Sequence, residues 1–449
     1  MKSKVFHVLM AILFCLLCSV GTGVAQESNI QKDSEVTGDY DLERCVKRAL
    51  EANPSIVSAR AALKGAEYGV DAATGEFFFK VKGEYGYTKY DRKRTTGYGY
   101  RDQWAANLSL SQPLFTGFRL LSSYQKAKLA RKQSDMQLYN AELVIIKDVQ
   151  SNFLNLLKAR MDVKSAKDSV ERLKSQLKVN NAYYEVGLYP RVDVLQAEVE
   201  LATAEQNLLS ARNTVSTQKA KLNTLLNLPL DAEIMYVGTL DCVPGSFDLK
   251  TCLTKAYKDR PDLKIALKSV EIAFKDAKIA SSSFYPEVTA DADYYRGGND
   301  PDTNGGDGWS HAASEYWTVG VNMNWTMFEW GADYNDWKKT KETINQLQAE
   351  LENTRLNAGF EVKRALLNLQ EAADRILVGR KSVESAKESY RMALARYQAQ
   401  VGTNNDVLDA QARVSESEAK LNTALADYNT ALSALYVAMG EKNPGLKAS

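Results

Sequence analysis

The chain contains itself twice. Asp41-Leu42, Ala49, Pro54, Val81 and Tyr87 recur as Asp248-Leu249, Ala256, Pro261, Val288 and Tyr294, at a constant shift of 207. From Trp104 the shift becomes 213 and holds without a gap: Trp104, Phe115, Leu156, Tyr184 and Asp193-Val194-Leu195 reappear as Trp317, Phe328, Leu369, Tyr397 and Asp406-Val407-Leu408. The six extra residues fall between Tyr294 and Trp317, where a loop can lengthen without moving anything else. Two copies of one long unit must build one architecture, so the 449 residues are one domain in two halves rather than two or three unrelated domains.

Residues 1–25 have the pattern of a secretory signal: Lys2 and Lys4, an apolar stretch from Val5 to Val20, and Gly23-Val24-Ala25 as a small-residue cleavage site. The apolar stretch is short for a membrane-spanning helix. Neither Cys15 nor Cys18 follows a small residue, which argues against a lipid-anchored N-terminus. Removing this segment leaves 55 basic against 56 acidic residues, a balance that gives no nucleic-acid footprint. Cys45, Cys242 and Cys252 then remain, an odd number that allows at most one internal disulfide and does not say which. Beyond the signal no apolar run has the length of a transmembrane helix, but strands span a membrane with half as many residues.

Each half, 26–240 and 241–449, has the same order: a short helical segment, two alternating strands and two very long helices. The strands are expected at about 77–90, 104–115, 286–296 and 315–328. Phe77, Phe79, Val81, Tyr85 and Tyr87 oppose Lys80, Lys82, Glu84 and Thr88, while Trp317, Val319, Val321, Met323 and Trp325 alternate with Thr318, Asn322, Asn324 and Thr326. Such period-2 patterning with aromatic ends fits a strand with lipid outside and water inside, and equally an ordinary half-buried antiparallel sheet. The secretion signal favours the membrane.

Helical hairpins are expected over 118–227 and 331–440. Val149, Leu156, Val163, Val170, Leu177 and Tyr184 step by seven, as do Val362, Leu369, Ile376, Val383, Tyr390 and Tyr397. The return helices repeat the rule with Val194, Leu201, Leu208, Val215 and Leu222, then Val407, Val414, Leu421, Tyr428 and Leu435. A sustained seven-residue apolar step means coiled-coil packing. The first helix would reach about 100 Å, longer than any globular core needs. The hairpins turn at Val186-Gly187-Leu188-Tyr189-Pro190 and at Val401-Gly402-Thr403-Asn404-Asn405, with the strand loops near Asp91–Gly99 and Gly297–Gly308 at the opposite end.

Four strands cannot close a barrel, and lipid tolerates no open sheet edge, so other copies of the chain must close it. Eight strands from a dimer or twelve from a trimer satisfy that arithmetic. The order of elements resembles the TolC-like outer-membrane efflux proteins along nearly the whole chain. The local matches are Ser111-Gln112-Pro113-Leu114-Phe115-Thr116-Gly117, Phe284-Tyr285-Pro286 and Asp406-Val407-Leu408-Asp409-Ala410. Thr326 stands where the first half has Pro113, and Phe79 where the second has Pro286. The resemblance implies an α+β membrane protein in the cell outer membrane: a trimeric 12-stranded β-barrel, four strands per chain, continuous with a long α-helical coiled-coil barrel in the periplasm.

Asp406 and Asp409 share a helix face, and inward-facing copies would make carboxylate rings that favour cations and raise the pKa of some members. Asp406 is equally placed to complement the helix N-terminus. The resemblance makes Asp193 and Tyr397 candidate gate residues. It also implies an arginine where Gly402 stands, with Arg191 near enough in sequence to substitute. Val186-Gly187-Leu188 resembles the tip that meets a periplasmic adaptor protein. In the second half Gln400 occupies the matching glycine position and Gly402 follows two positions later. Asp300-Pro301-Asp302-Thr303-Asn304-Gly305 has acids at positions one and three of a calcium loop, but the twelfth residue is His311, which favours a plain polar loop. No phosphate loop, metal spacing or nucleophile elbow occurs, so neither a cofactor nor catalysis is expected. The expected function is a passive outer-membrane exit duct of a tripartite efflux or type I secretion system. Its expected partners are a homotrimer of itself, a periplasmic adaptor, an inner-membrane transporter and outer-membrane lipid. The rival is a secreted periplasmic coiled-coil scaffold.

Overall fold

The structure, a computed structural model, describes residues 38–91, 102–232, 234–241, 245–298 and 315–443, with 301 and 303. The signal segment 1–25, Cys242, Asp300, Asp302 and His311 lie outside the described residues. The first half runs β1 (Asp39–Tyr40), α1 (Leu42–Ala52), α2 (Pro54–Gly75), β2 (Lys80–Lys89), β3 (Asp102–Thr116), α3 (Arg119–Glu185) and α4 (Arg191–Leu225). The second runs β4 (Met235–Tyr236), α5 (Leu249–Asp259), α6 (Pro261–Ala280), a 3-10 turn at Ser281–Phe284, β5 (Glu287–Gly298), β6 (Glu315–Asn324), α7 (Ala332–Gln398) and α8 (Asn404–Ala438). The short helical segment of each half is thus two helices, because Pro54 and Pro261 at the first helical position start a second one.

The four long strands form one antiparallel sheet in the order β2-β3-β5-β6. Directly opposed residues share a face, and the register sorts the alternating sequence cleanly. Val81 faces Leu110, Tyr87 faces Trp104, Leu108 faces Tyr294, Ala292 faces Val319 and Val288 faces Met323, all on one side. Lys82, Ser109, Asp293 and Thr318 line up on the other. The apolar side is bare in a single chain, with Val319 72% exposed. Pro113 sits in central β3 beyond the end of β2, where the ladder to β5 shifts register between Pro113 and Phe115, so its missing N–H breaks no regular pairing. β2 begins at Lys80 rather than Phe77, whose carbonyl accepts a hydrogen bond from Gln112 Nε2 (2.9 Å).

The helices continue the sheet in the same order. Below the strands the neighbours are α2, α3, α6 and α7, each joined in sequence to the strand above it. Further down, α4 and α8 replace α2 and α6, giving α4, α3, α8 and α7. α3 and α7 are each 67 residues long, close to 100 Å at 1.5 Å per residue. At the waist, β1 pairs parallel with β4, and α1 and α5 pack on the long helices around Phe153, Leu156, Tyr236, Leu369 and Tyr428. Cys45 and Cys252 are buried there as free thiols, and burial pushes the Cys45 thiol up to about 12.

The two halves share one joint with different side chains. Asn53 Nδ2 donates to the carbonyl of Leu225 at the end of α4 (2.9 Å), and Arg260 Nη1, 207 positions on, donates to that of Ala438 at the end of α8 (3.3 Å). Arg260 also grips Asp262 and Glu361 at 2.6 and 2.7 Å. The strand-to-helix turns are likewise paired: each needs two successive left-handed residues. Gly117 and Phe118 supply them in the first half, Trp330 and Gly331 in the second, so the glycine has changed places. A Cβ at Gly117 would lie 2.6 Å from the Ser282 carbonyl oxygen. Gly117→Ala is expected to destabilise the protein by about 2 kcal/mol or more, from left-handed strain plus this clash. Trp330→Gly relieves strain at an exposed residue and is expected to stabilise it by about 1 kcal/mol. Thermal unfolding in detergent checks both.

Candidate gate and docking tips

Both hairpin tips end in the same helix stop. Gly187 is left-handed (φ 72°), with its N–H on the Tyr184 carbonyl and the Leu188 N–H on that of Tyr183, each 2.9 Å. Gln400 adopts the same conformation (φ 62°), with matching bonds to Tyr397 and Arg396. This pair of bonds is the Schellman motif, which normally recruits glycine at that point. Gly402 instead permits a close approach, since a Cβ there would press on Arg396 Cβ at 3.1 Å and the Tyr397 nitrogen at 3.2 Å. Val186, Leu188 and Val401 are exposed at the tips, and a Cβ at Gly187 would meet open space.

α8 starts one residue earlier than its asparagines suggest. Thr403 is the N-cap, accepting from the Asp406 N–H (3.2 Å), and Asp406 Oδ2 accepts from the Thr403 N–H (2.9 Å). The backbone and side-chain bonds to Thr403, and more distantly Arg396, hold the Asp406 carboxyl below its ordinary range. Within one chain its pKa is therefore lowered; the crowding expected to raise some members acts between copies in a ring. Asp406 and Asp409 line one groove between α7 and α8 together with Arg396 and Arg413. Sequence reasoning missed both arginines. The signal was Arg396 preceding Tyr397 and Arg413 four residues after Asp409, on one face of α8.

Tyr397 and Asp193 meet through a residue that sequence reasoning passed over. The fully buried Asn180 of α3 accepts from Tyr397 Oη (2.7 Å) and donates to the Asp193 carbonyl (3.0 Å) and Asn404 Oδ1 (2.9 Å). Gln176 donates to Asn180 and Asn404 at 2.9 and 3.2 Å, and Asn404 donates to the Asp193 carbonyl at 3.2 Å. Four helices, α3, α4, α7 and α8, are tied in one buried polar knot. The Tyr189 ring stacks on Tyr397 at 5.2 Å, with Tyr183 beside both. Desolvation, with Asp193 nearby, raises the pKa of Tyr397, which stays a neutral donor.

Asp193 contributes its backbone to the knot, while desolvation raises the pKa of its carboxyl. A raised carboxyl pKa means that the folded state binds the proton more tightly than the unfolded chain. That contribution is present below the unfolded value near 3.9 and is lost as pH rises through the folded one. Asp193→Asn is therefore expected to slow hydrogen exchange at the tips at pH 7. The difference from the parent should vanish at about pH 4 and below.

A sheet with one apolar and one polar face, running strand for helix into a layer of 100 Å helices, defines a component of a membrane-spanning tunnel. The comparisons with known proteins agree. The outer membrane efflux protein family matches residues 45–228 and 252–441, one segment per repeat, and the chain belongs to that family. The pyoverdine export outer membrane protein OpmQ of Pseudomonas aeruginosa is 20% identical over 432 residues, 94% of this chain and 89% of the relative. Toxin and drug export protein A of Aggregatibacter actinomycetemcomitans is 23% identical over 269 residues, and the match spans 59% of this chain and 58% of that protein. Among solved structures, the outer membrane protein VceC of Vibrio cholerae superposes with a TM-score of 0.77 at 20% identity, over 89% of this chain and 96% of that one. The Campylobacter jejuni CmeC outer membrane channel gives 0.78 at 18% identity, over 89% and 85%. The protein is an outer-membrane exit duct for efflux or secretion, with its helical part in the periplasm.

Proposed function

We propose that three copies of the chain close one passive tunnel, gated at the helical tips and driven by an inner-membrane transporter through a periplasmic adaptor. The observation that carries this reading is the pair of open edges. Among the described residues β2 and β6 each have one strand neighbour, and the same sides of the molecule end in α2 or α4 and in α7. Exposed Val57 and Tyr68 on α2, and Leu356 and Phe360 on α7, suit burial against a neighbouring copy. Three copies give twelve strands, within the range of known barrels, and a circle of twelve helices at every level below. A scaffold would leave the apolar face of the sheet without purpose.

In this reading the knot around Asn180 holds the two hairpins of a chain together at rest. Asp406 and Asp409 set the charge of the entrance. The adaptor meets Val186, Gly187, Leu188 and the turn at Gly402. No step needs a cofactor, because the transporter supplies the energy.

Single-channel conductance with native mass measurement tests the whole. The expected result is a trimer passing small, cation-selective currents; a water-soluble oligomer that never inserts would remove the duct. Asp406→Ala with Asp409→Ala is expected to lower cation over anion preference without preventing assembly, measured as reversal potential in a salt gradient. Asn180→Ala should open the tips more than Tyr397→Phe. The first unpairs several buried groups, at roughly 1–3 kcal/mol each, while the second removes one donor worth about 1 kcal/mol. Conductance of the two variants gives that order.

A further inference from the structure

One constellation occurs twice and is used by nothing above. Phe77 meets Tyr124 edge-to-face at 6.0 Å, and Lys128 Nζ lies over the Tyr124 ring at 4.3 Å. In the second half Phe284 meets Trp337 edge-to-face at 6.3 Å, and Lys341 Nζ lies over that ring at 3.7 Å. The phenylalanines are 207 apart and the other two pairs 213 apart, so both copies obey the repeat. The middle ring has changed from tyrosine to tryptophan while the geometry stayed. Among the described residues neither lysine has an ion pair, although Lys126, Arg131 and Arg119 close by are paired with Asp276, Glu67 and Glu287.

Position fixes what these cations face. Lys128 and Lys341 each lie nine residues into their helix, about 14 Å below the end of the sheet. Helical side chains tilt toward the helix N-terminus, here toward the sheet, so each ammonium sits a turn higher, near its ring. That is about 8 Å below the strands, the depth of a headgroup layer beside a hydrocarbon core. The lysines also lie on the side of the helix layer that carries the waist, which leaves the opposite side clear to line a tunnel. Leu121, Gln125, Lys128 and Lys132 alternate steps of four and three, and the same alternation continues to Ile146, Val149, Phe153 and Leu156, the side that carries the waist. From Arg119 to Ser134 α3 has five cations and no acid, and the carboxylates beside Lys128 in its groove are Glu67, Asp71 and Glu271 of the flanking helices. Exposed Phe77, Phe78, Phe284 and Tyr285 lie between the rim and the sheet, and Phe118 links Tyr285 edge-to-face to Phe115, opposite Val288 on the apolar side.

We propose that the Tyr124–Lys128 and Trp337–Lys341 pairs are headgroup sites for anionic phospholipid of the periplasmic leaflet. This rests on the outer-membrane reading and adds to it a lipid chemistry. The aromatic ring sits at the interface, as tyrosine and tryptophan do, and holds the ammonium where a phosphate can reach it. A trimer carries six such sites in one belt, which fixes how deep the duct sits.

The test is native mass spectrometry of the full-length protein in detergent with phosphatidylglycerol or phosphatidylcholine, with inorganic phosphate as a control. The parent should retain phosphatidylglycerol in preference to phosphatidylcholine. K128Q/K341Q should weaken that retention about fivefold per lysine removed, and K128R/K341R should keep it. A parent with no preference, or K128Q/K341Q with undiminished retention, overturns the proposal. So does inorganic phosphate that competes as well as the lipid, since the site would then be one for free anions. Conductance recorded on the same samples separates this outcome from a failure of the duct itself: a parent that conducts but ignores lipid charge loses only the headgroup sites.

Discussion

Backbone hydrogen bonding in a medium without water dictates most of this structure. A strand edge in lipid leaves N–H and C=O groups unpaired at several kcal/mol each. β2 and β6 are such edges, and no rearrangement of one chain can pair them while the sheet keeps the order β2-β3-β5-β6. The helices inherit the problem, because each neighbours what its strand neighbours. One requirement at the membrane therefore propagates the length of the molecule. What looks like an unfinished surface on α2, α4 and α7 is the continuation of an unfinished sheet.

Below the waist the four helices of one chain meet along seams of two kinds. Within a hairpin the seam is mainly apolar: Val170, Leu173 and Ala204 bury themselves with Leu201 and Leu208, and Leu408 of α8 packs on the same cluster. Between hairpins, α3 and α8 meet through polar rungs. Gln176 and Asn180 reach Asn404, Arg172 and Ser169 reach Gln411, and Asp162 accepts from Asn422. Gln176 Oε1 is buried there without a hydrogen-bond partner, and Arg172 Nη2 and Glu418 Oε2 face each other only as a long ion pair at 3.9 Å. Separating an apolar seam exposes hydrocarbon with nothing in return, whereas amides and hydroxyls released from a rung bond to water instead. By that chemistry, parting the helices costs less between hairpins than within one.

The sequence showed the first kind of seam and hid the second. Valine and leucine at every seventh position declare a coiled coil, and alternation declares the strands, because burial alone selects those residues. Asp162, Ser169, Gln176 and Asn180 also follow steps of seven or of four, but a polar stripe on a helix reads as a wet face until a partner is known. Asn180 was invisible for that reason, while Tyr397 and Asp193 surfaced through resemblance. The parallel pairing of β1 with β4 joins segments almost 200 residues apart through two residues each, too little pattern to detect. Asp406 shows the reverse: its neighbourhood was plain, yet Thr403 rather than an asparagine caps the helix, and the bonds to Thr403 lower the pKa of the carboxyl.

Length is the property this fold can least afford to vary. α3 and α7 have the same number of residues, as do α4 and α8 at 35 each. They run side by side between the sheet above and the tips below, so a residue inserted into one would displace its tip by 1.5 Å and rotate the rest by about 100°. That rotation would carry Asn180 or Asn404 out of the knot. The side chains at the joint tolerate far more: asparagine stands for arginine, and glycine trades places with an aromatic residue beneath the sheet. Across the two halves the six-residue offset lies between Tyr294 and Trp317, the connection from β5 to β6 at the end remote from the tips. Insertions survive there because neither the register of the sheet nor the phase of any helix passes through that connection.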